Sequence, residues 1–153
     1  ELIKIQSDRL FPEIANHPVL ENIPEDALLC VAQRSRGRAR NALNMLSVLI
    51  DHVICRGYHR CATESAVFIE TGVGPYGASR DDRNYLQSLV NFGGKAGLTT
   101  ISGALRLDRS YLENFVEPFL LNLGVIEKTP RGRILHGNEG VRQEILEFHA
   151  KAI

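Results

Sequence analysis

The chain has 153 residues, enough for one or two small domains, and its 44% hydrophobic content excludes global disorder. Eighteen basic residues balance 18 acidic ones, which excludes a generally cationic coat for nucleic acid. Any phosphate-binding surface is therefore local.

Residues 1–24 carry weak signals, because Pro12, Pro18 and Pro24 interrupt any long helix. Pro24-Glu25-Asp26 is a good helix entry, with proline and acids in the first turn. From about Glu25 to Arg34 the periodicity turns Ala27, Leu28, Val31 and Ala32 inward, and Gly37 breaks the run. A second helix is expected from about Ala39 to Arg56, with Leu43, Leu46, Leu49, Ile50, Val53 and Ile54 as its stripe and Gly57 as its stop. Thr63 and Glu64 mark a third start, and Gly72 its end. The segment GVGPYGA (72–78) is the expected boundary between a helical bundle at 1–77 and a second domain at 78–153.

The second half restarts at Ser79, with Asp81 and Asp82 fronting a helix whose stripe is Tyr85, Leu86, Leu89, Val90 and Phe92. A helix from about Thr99 to Leu105 follows. After a turn at Leu107–Ser110, Asp108 or Ser110 caps a third helix carrying Leu112, Phe115, Val116, Phe119, Leu120 and Leu123. Pro118 lies inside that stripe and predicts a bend. Its exposed positions are read as Glu113, Asn114, Glu117 and Asn122. Val125–Lys128 and Arg133–His136 alternate as strands around the turn Thr129–Gly132, and an amphipathic helix with Val141, Ile145, Leu146 and Phe148 closes the chain. Helix, helix, turn, helix and hairpin make a winged helix, so the fold class is mainly α with a two-stranded wing.

No apolar run approaches the roughly 18 residues of a bilayer span, and ELIKIQSD has no secretory pattern, so no membrane partner is expected. Lacking an initial methionine, the sequence reads as a fragment or processed chain. Cys30, Cys55 and Cys61, odd in number and without CxxC spacing, fit a reducing, cytoplasmic setting. His52, Cys55, His59 and Cys61 match no zinc template, so no metal site is expected.

Two groups could carry function. Lys128, Arg131 and Arg133 decorate the hairpin, where a turn projects side chains towards phosphates and Gly132 permits close backbone approach. Arg106 and Arg109 flank the start of the third helix, whose exposed face holds few bases, so backbone contact is expected over base readout. The second group is Arg34, Arg36, Arg38 and Arg40, with no acid between Asp26 and Asp51, at a helix N-terminus that favours an anion such as a nucleotide phosphate. There is no GxxxxGK[ST] loop, GxSxG or HExxH, so no catalytic residue is expected and the chain alone should hydrolyse nothing. The residues alone leave open a non-enzymatic winged-helix regulator with a helical dimerisation module, and a protein-interaction module.

EPFLLNLGVIEKTPRGR (117–133), FGGKAGL (92–98), LDRSYLENF (107–115), GVGPYG with Asp82-Arg83, and QRSRGRAR (33–40) together resemble the RuvB family of bacterial Holliday-junction branch-migration motor subunits. The resemblance runs over roughly residues 25–136. It implies that the first half is the small helical lid of an AAA+ ATPase. Arg40 would match the lid arginine that reaches nucleotide phosphates, with Ala39 where the family starts its helix on proline. The second half would be the DNA-contacting winged helix, with Lys128, Arg131, Gly132 and Arg133 in the wing. The implied whole is an ATP-driven DNA helicase acting in recombination and repair. Its homo-hexameric ring would work on duplex or four-way-junction DNA with a junction-binding loading partner. ATP and Mg²⁺ would be bound through an ATPase domain absent from these residues, leaving the chain alone without a cofactor.

Overall fold

A computed structural model describes residues 18–58 and 60–150. Backbone contacts divide the chain into two compact units, Glu1–Gly77 and Ala78–Ile153.

In the first unit a 3-10 turn, Pro18–Asn22, leads into α1 (Glu25–Arg34), α2 (Ala39–Arg56) and α3 (Arg60–Thr71). Ile23, Ala27, Val31, Leu43, Met45, Leu46, Leu49, Ile50, Val67 and Phe68 form the core, whereas Ile54, expected inside, is half exposed. α3 starts at Arg60, upstream of the expected Thr63 cap, and the side chains of residues 60–65 lie outside the described residues. So does His59, and with it half of the His52–Cys61 cluster. Residues 75–77 form a 3-10 turn at the end of this unit. Gly74, Gly77 and Ala78 are buried, and a Cβ on Gly77 would stand 2.5 Å from the Arg34 carbonyl oxygen.

The second unit opens with α4 (Arg80–Asn91), entered through a capping box. The Asp82 backbone N–H donates to Ser79 Oγ at 3.3 Å, and the Asp82 carboxylate accepts the Ser79 N–H at 2.7 Å. β1 (Lys95–Ala96) and α5 (Leu98–Leu105) follow. The third helical stretch has three parts: α6 (Arg109–Tyr111), a π-helical turn (Leu112–Val116) and α7 (Glu117–Asn122). Asp108 caps it, accepting from the Ser110 and Tyr111 N–H groups at 2.8 and 3.3 Å. β2 (Ile126–Thr129), β3 (Gly132–Leu135) and α8 (Glu139–Ala150) complete the chain.

Pro118 acts through that π turn. It has no N–H, and its ring would clash with the carbonyl four residues back in a regular helix. The turn just before it holds one extra residue, and the Glu117 N–H reaches back five residues to the Leu112 carbonyl. The extra residue shifts the inward face. Leu112, Val116 and Leu120 are buried as expected, but Phe115 is 55% exposed and Glu117, expected in solvent, is 0% exposed. Phe115 stacks on Tyr111 at 5.5 Å between ring centroids instead of entering the core. Val90 and Phe92, also expected inside, are exposed.

The sheet is antiparallel with order β1-β3-β2, so the two-stranded wing gains a third strand. Thr129 pairs with Gly132, so the expected four-residue turn has Pro130-Arg131 at its centre and its outer residues belong to the strands.

Candidate nucleic-acid interface

The register of β2 and β3 decides where the wing cations go. Lys128 pairs with Arg133 and Ile126 with Leu135, so these four share one face of the sheet. Ile126 is buried, which makes this the face turned towards the core. Arg133 and Lys128 therefore point at the third helical stretch rather than away from the domain, as the sequence had suggested.

Glu117 receives them. Arg133 donates Nε–H to Glu117 Oε1 at 2.8 Å and a terminal N–H to Oε2 at 3.3 Å, with a further bond to Glu113 Oε1 at 3.0 Å. Lys128 Nζ lies 2.7 Å from Glu117 Oε2. From α4, the buried Tyr85 hydroxyl donates to Glu117 Oε1 at 2.7 Å. Burial alone would push the Glu117 carboxyl up, but the bonds from Arg133, Lys128 and Tyr85 outweigh it and hold the group below its ordinary value. Burial, then the Glu117 bond, pushes the Tyr85 hydroxyl far above its usual value, and Glu117 raises Arg133.

Side-chain exposure separates the three wing cations: Arg133 keeps 16% and Lys128 42%. Arg131, at the tip, is exposed and makes no ion pair among the described residues. Gly132 is buried, with φ +127° and an added Cβ only 2.7 Å from the Ala96 carbonyl oxygen. The close approach it permits is that of β1 to β3. Arg106 and Arg109, at the head of the third helical stretch, are exposed and likewise form no ion pair among the described residues. Arg106 holds a left-handed conformation, φ 55°, where α5 ends.

The arginine cluster of the first unit also divides. Arg34 stacks over the Phe68 ring at 3.7 Å, and Arg36 donates Nε–H to the Gly77 carbonyl at 2.6 Å. Both are structural. Arg38 and Arg40 are exposed at the front of α2, where Arg38 occupies the N-cap and no side chain caps the first turn. Open N–H groups beside an exposed arginine fit an anion, with Arg40 and Ala39 in that first turn.

Sequence reasoning missed Glu117 on α7 and Tyr85 on α4 as partners of the wing cations. The available signal was an acid directly before a proline inside an apolar stripe, and a hydroxyl-bearing aromatic on the buried face of α4.

Residues 75–141 match the RuvB C-terminal winged helix domain. The chain belongs to the RuvB family. It is 39% identical over 115 residues to the Holliday junction branch migration complex subunit RuvB of Wolbachia sp. subsp. Drosophila simulans, covering 74% of this chain and 36% of the relative. It is 37% identical over 117 residues to RuvB of Bdellovibrio bacteriovorus and 31% identical over 138 residues to that of Anaplasma phagocytophilum. The Bdellovibrio match covers 74% of this chain and 36% of the relative, and the Anaplasma match 88% and 42%. The solved Thermotoga maritima RuvB Holliday junction branch migration motor shares the fold, with TM-score 0.69 and 24% identity over 97% of this chain and 47% of that one. The chain thus spans about a third to a half of the length of its RuvB relatives. Among the described residues no helix is long and apolar enough to cross a membrane.

Proposed function

We propose that this chain is the lid and DNA-contacting portion of a RuvB-like, ATP-dependent motor for Holliday-junction branch migration in recombination and repair. The observation that carries the reading is a RuvB winged helix whose wing tip bears Arg131, exposed and without an ion pair among the described residues. The wing, Lys128 to Arg133, meets duplex or four-way-junction DNA, and Arg106 and Arg109 supply further phosphate contacts. Such contacts position the protein without reading sequence. In the first unit, Arg40 beside Ala39 senses nucleotide phosphates from the front of α2. ATP and Mg²⁺ act through an ATPase domain outside these residues, in a cytoplasmic homo-hexameric ring with a junction-binding loading partner.

The test is fluorescence anisotropy of this chain with labelled duplex and four-way-junction DNA at several salt concentrations. Binding that weakens steeply with salt and is indifferent to base sequence is expected. Absence of binding even at low salt, or selection of one palindromic sequence, would sink the proposal.

A further inference from the structure

Resting on that proposed function, the wing needs its cations oriented as well as charged. We infer that Glu117 is a positioning residue: it grips the Arg133 guanidinium along one edge, so that the remaining terminal nitrogen, Nη1, is presented to a DNA phosphate.

A guanidinium is planar, so fixing two of its nitrogens fixes the third. Arg133 gives Nε–H to Glu117 Oε1 at 2.8 Å and shares Nη2 between Glu117 Oε2 at 3.3 Å and Glu113 Oε1 at 3.0 Å. Nη1 has no partner among the described residues and is not among their buried unpartnered atoms, so it faces solvent. The carboxylate that holds the fork is itself held. Glu117 has no access to water, and from α4 the Tyr85 hydroxyl donates to it at 2.7 Å. Lys128 Nζ lies 2.7 Å from Glu117 Oε2, so the carboxylate keeps a counter-charge when a phosphate draws on Arg133. The rotamer freedom that a loose arginine would lose on binding is thus given up in folding, and the fork is pre-organised for a phosphate oxygen. Arg131, at the tip, makes no ion pair among the described residues and meets the backbone as a mobile charge.

The consequence runs against simple charge counting. Removing an acid beside DNA ordinarily strengthens binding through the field of the protein, whereas here it should weaken it. The test is a double-mutant cycle on the 153-residue chain with a labelled duplex, read by fluorescence anisotropy. Glu117→Gln leaves Tyr85 an acceptor but offers Arg133 no second carboxylate oxygen. It should weaken binding by roughly tenfold, the worth of one hydrogen bond to a charged group. Arg133→Lys keeps the charge but cannot be gripped as a fork, and in that background Glu117→Gln should change affinity little. A merely structural Glu117 would lower affinity equally in both backgrounds, because Lys128 and Arg131 would lose their placement as well. Circular dichroism checks that each variant folds. If Glu117→Gln does not, Glu113→Gln on the exposed side of the fork takes its place in the cycle, with a smaller loss expected and the same dependence on Arg133.

A glutamine variant that binds as tightly as the parent, or more tightly, overturns the inference while leaving the wing as a DNA contact. So does an equal loss in both backgrounds, or an Arg133→Lys affinity equal to the parent's. Absence of binding by the parent chain at low salt is a different result, and overturns the proposed function together with the inference that rests on it.

Discussion

Glu117 and Arg133, sixteen residues apart in the chain, meet at 2.8 Å between Oε1 and Nε, with the carboxylate sealed from solvent. This bond ties helix to wing and places a charge where the domain would otherwise be apolar. Truncating one partner of such a pair leaves the other buried and uncompensated, which costs about 3–5 kcal/mol. Glu117→Ala is expected to lose stability on that scale in urea unfolding, with the helical far-UV signal of the folded state retained. A loss under about 1 kcal/mol would show that the cluster contributes no more than a surface ion pair does.

The same carboxylate predicts an acid limb. Its folded pKa lies below the ordinary 4.5, so the folded state favours the charged form. The resulting stabilisation is whole above the unfolded value and is lost as pH falls through the folded one. Unfolding free energy should therefore decline below about pH 4.5, and Glu117→Gln should make that decline shallower. An acid limb identical in the Gln variant would assign the effect to other carboxylates.

Tyr85 gives the opposite sign. Burial and the Glu117 bond raise its folded pKa above the ordinary 10.0, so its contribution is present below that value and is lost as pH rises and the unfolded state ionises. Tyr85→Phe should remove about 0.5–1.5 kcal/mol at neutral pH, the ordinary worth of one hydrogen bond. It should also weaken the alkaline limb, read by thermal melts from neutral pH upward. Unaltered melts at every pH would show that the hydroxyl bond contributes nothing.

The front of α2 offers a stabilising substitution. Ala39 occupies its first helical position, donates to no described partner, and follows Arg38 at φ −96° and ψ 111°, the extended geometry that a residue before proline requires. Ala39→Pro should raise stability by about 0.4–1 kcal/mol by restricting the unfolded chain. A lower melting temperature in that variant would show that the N–H or the local backbone geometry is needed as it stands.

What the sequence disclosed and what it concealed have separate physical causes. The helices of the second unit were legible because their ends are local chemistry: Ser79, Asp82 and Asp108 cap within three residues of themselves. β1 was not, since two residues are too few for periodicity and Lys95–Ala96 are a strand only because Ile134 and Arg133 pair with them. Glu117 was misread because a 3.6-residue period carried past Leu112–Val116 puts Phe115 inside and Glu117 outside, whereas the π turn before Pro118 reverses both. Its compensating charges arrive from β2 and β3, beyond the reach of any helical pattern. In the first unit, charge density marked the arginine cluster. It could not distinguish Arg34 and Arg36, spent on Phe68 and Gly77, from the open Arg38 and Arg40.

Gly132 separates a structural from a DNA-facing reading of the wing most directly. Its φ of +127° lies where side chains are strained, and a Cβ would press to 2.7 Å on the Ala96 carbonyl oxygen, a backbone atom with no room to yield. Gly132→Ala should therefore destabilise the second unit by about 1–3 kcal/mol. The loss should concentrate on the β1–β3 pairing: amide exchange at Ala96 and Arg133 should speed up before that of α4. If Gly132 served only to let DNA approach the backbone, the variant would melt as the parent does and lose affinity alone. A normal melting temperature with unaltered exchange at those two amides would overturn the structural assignment.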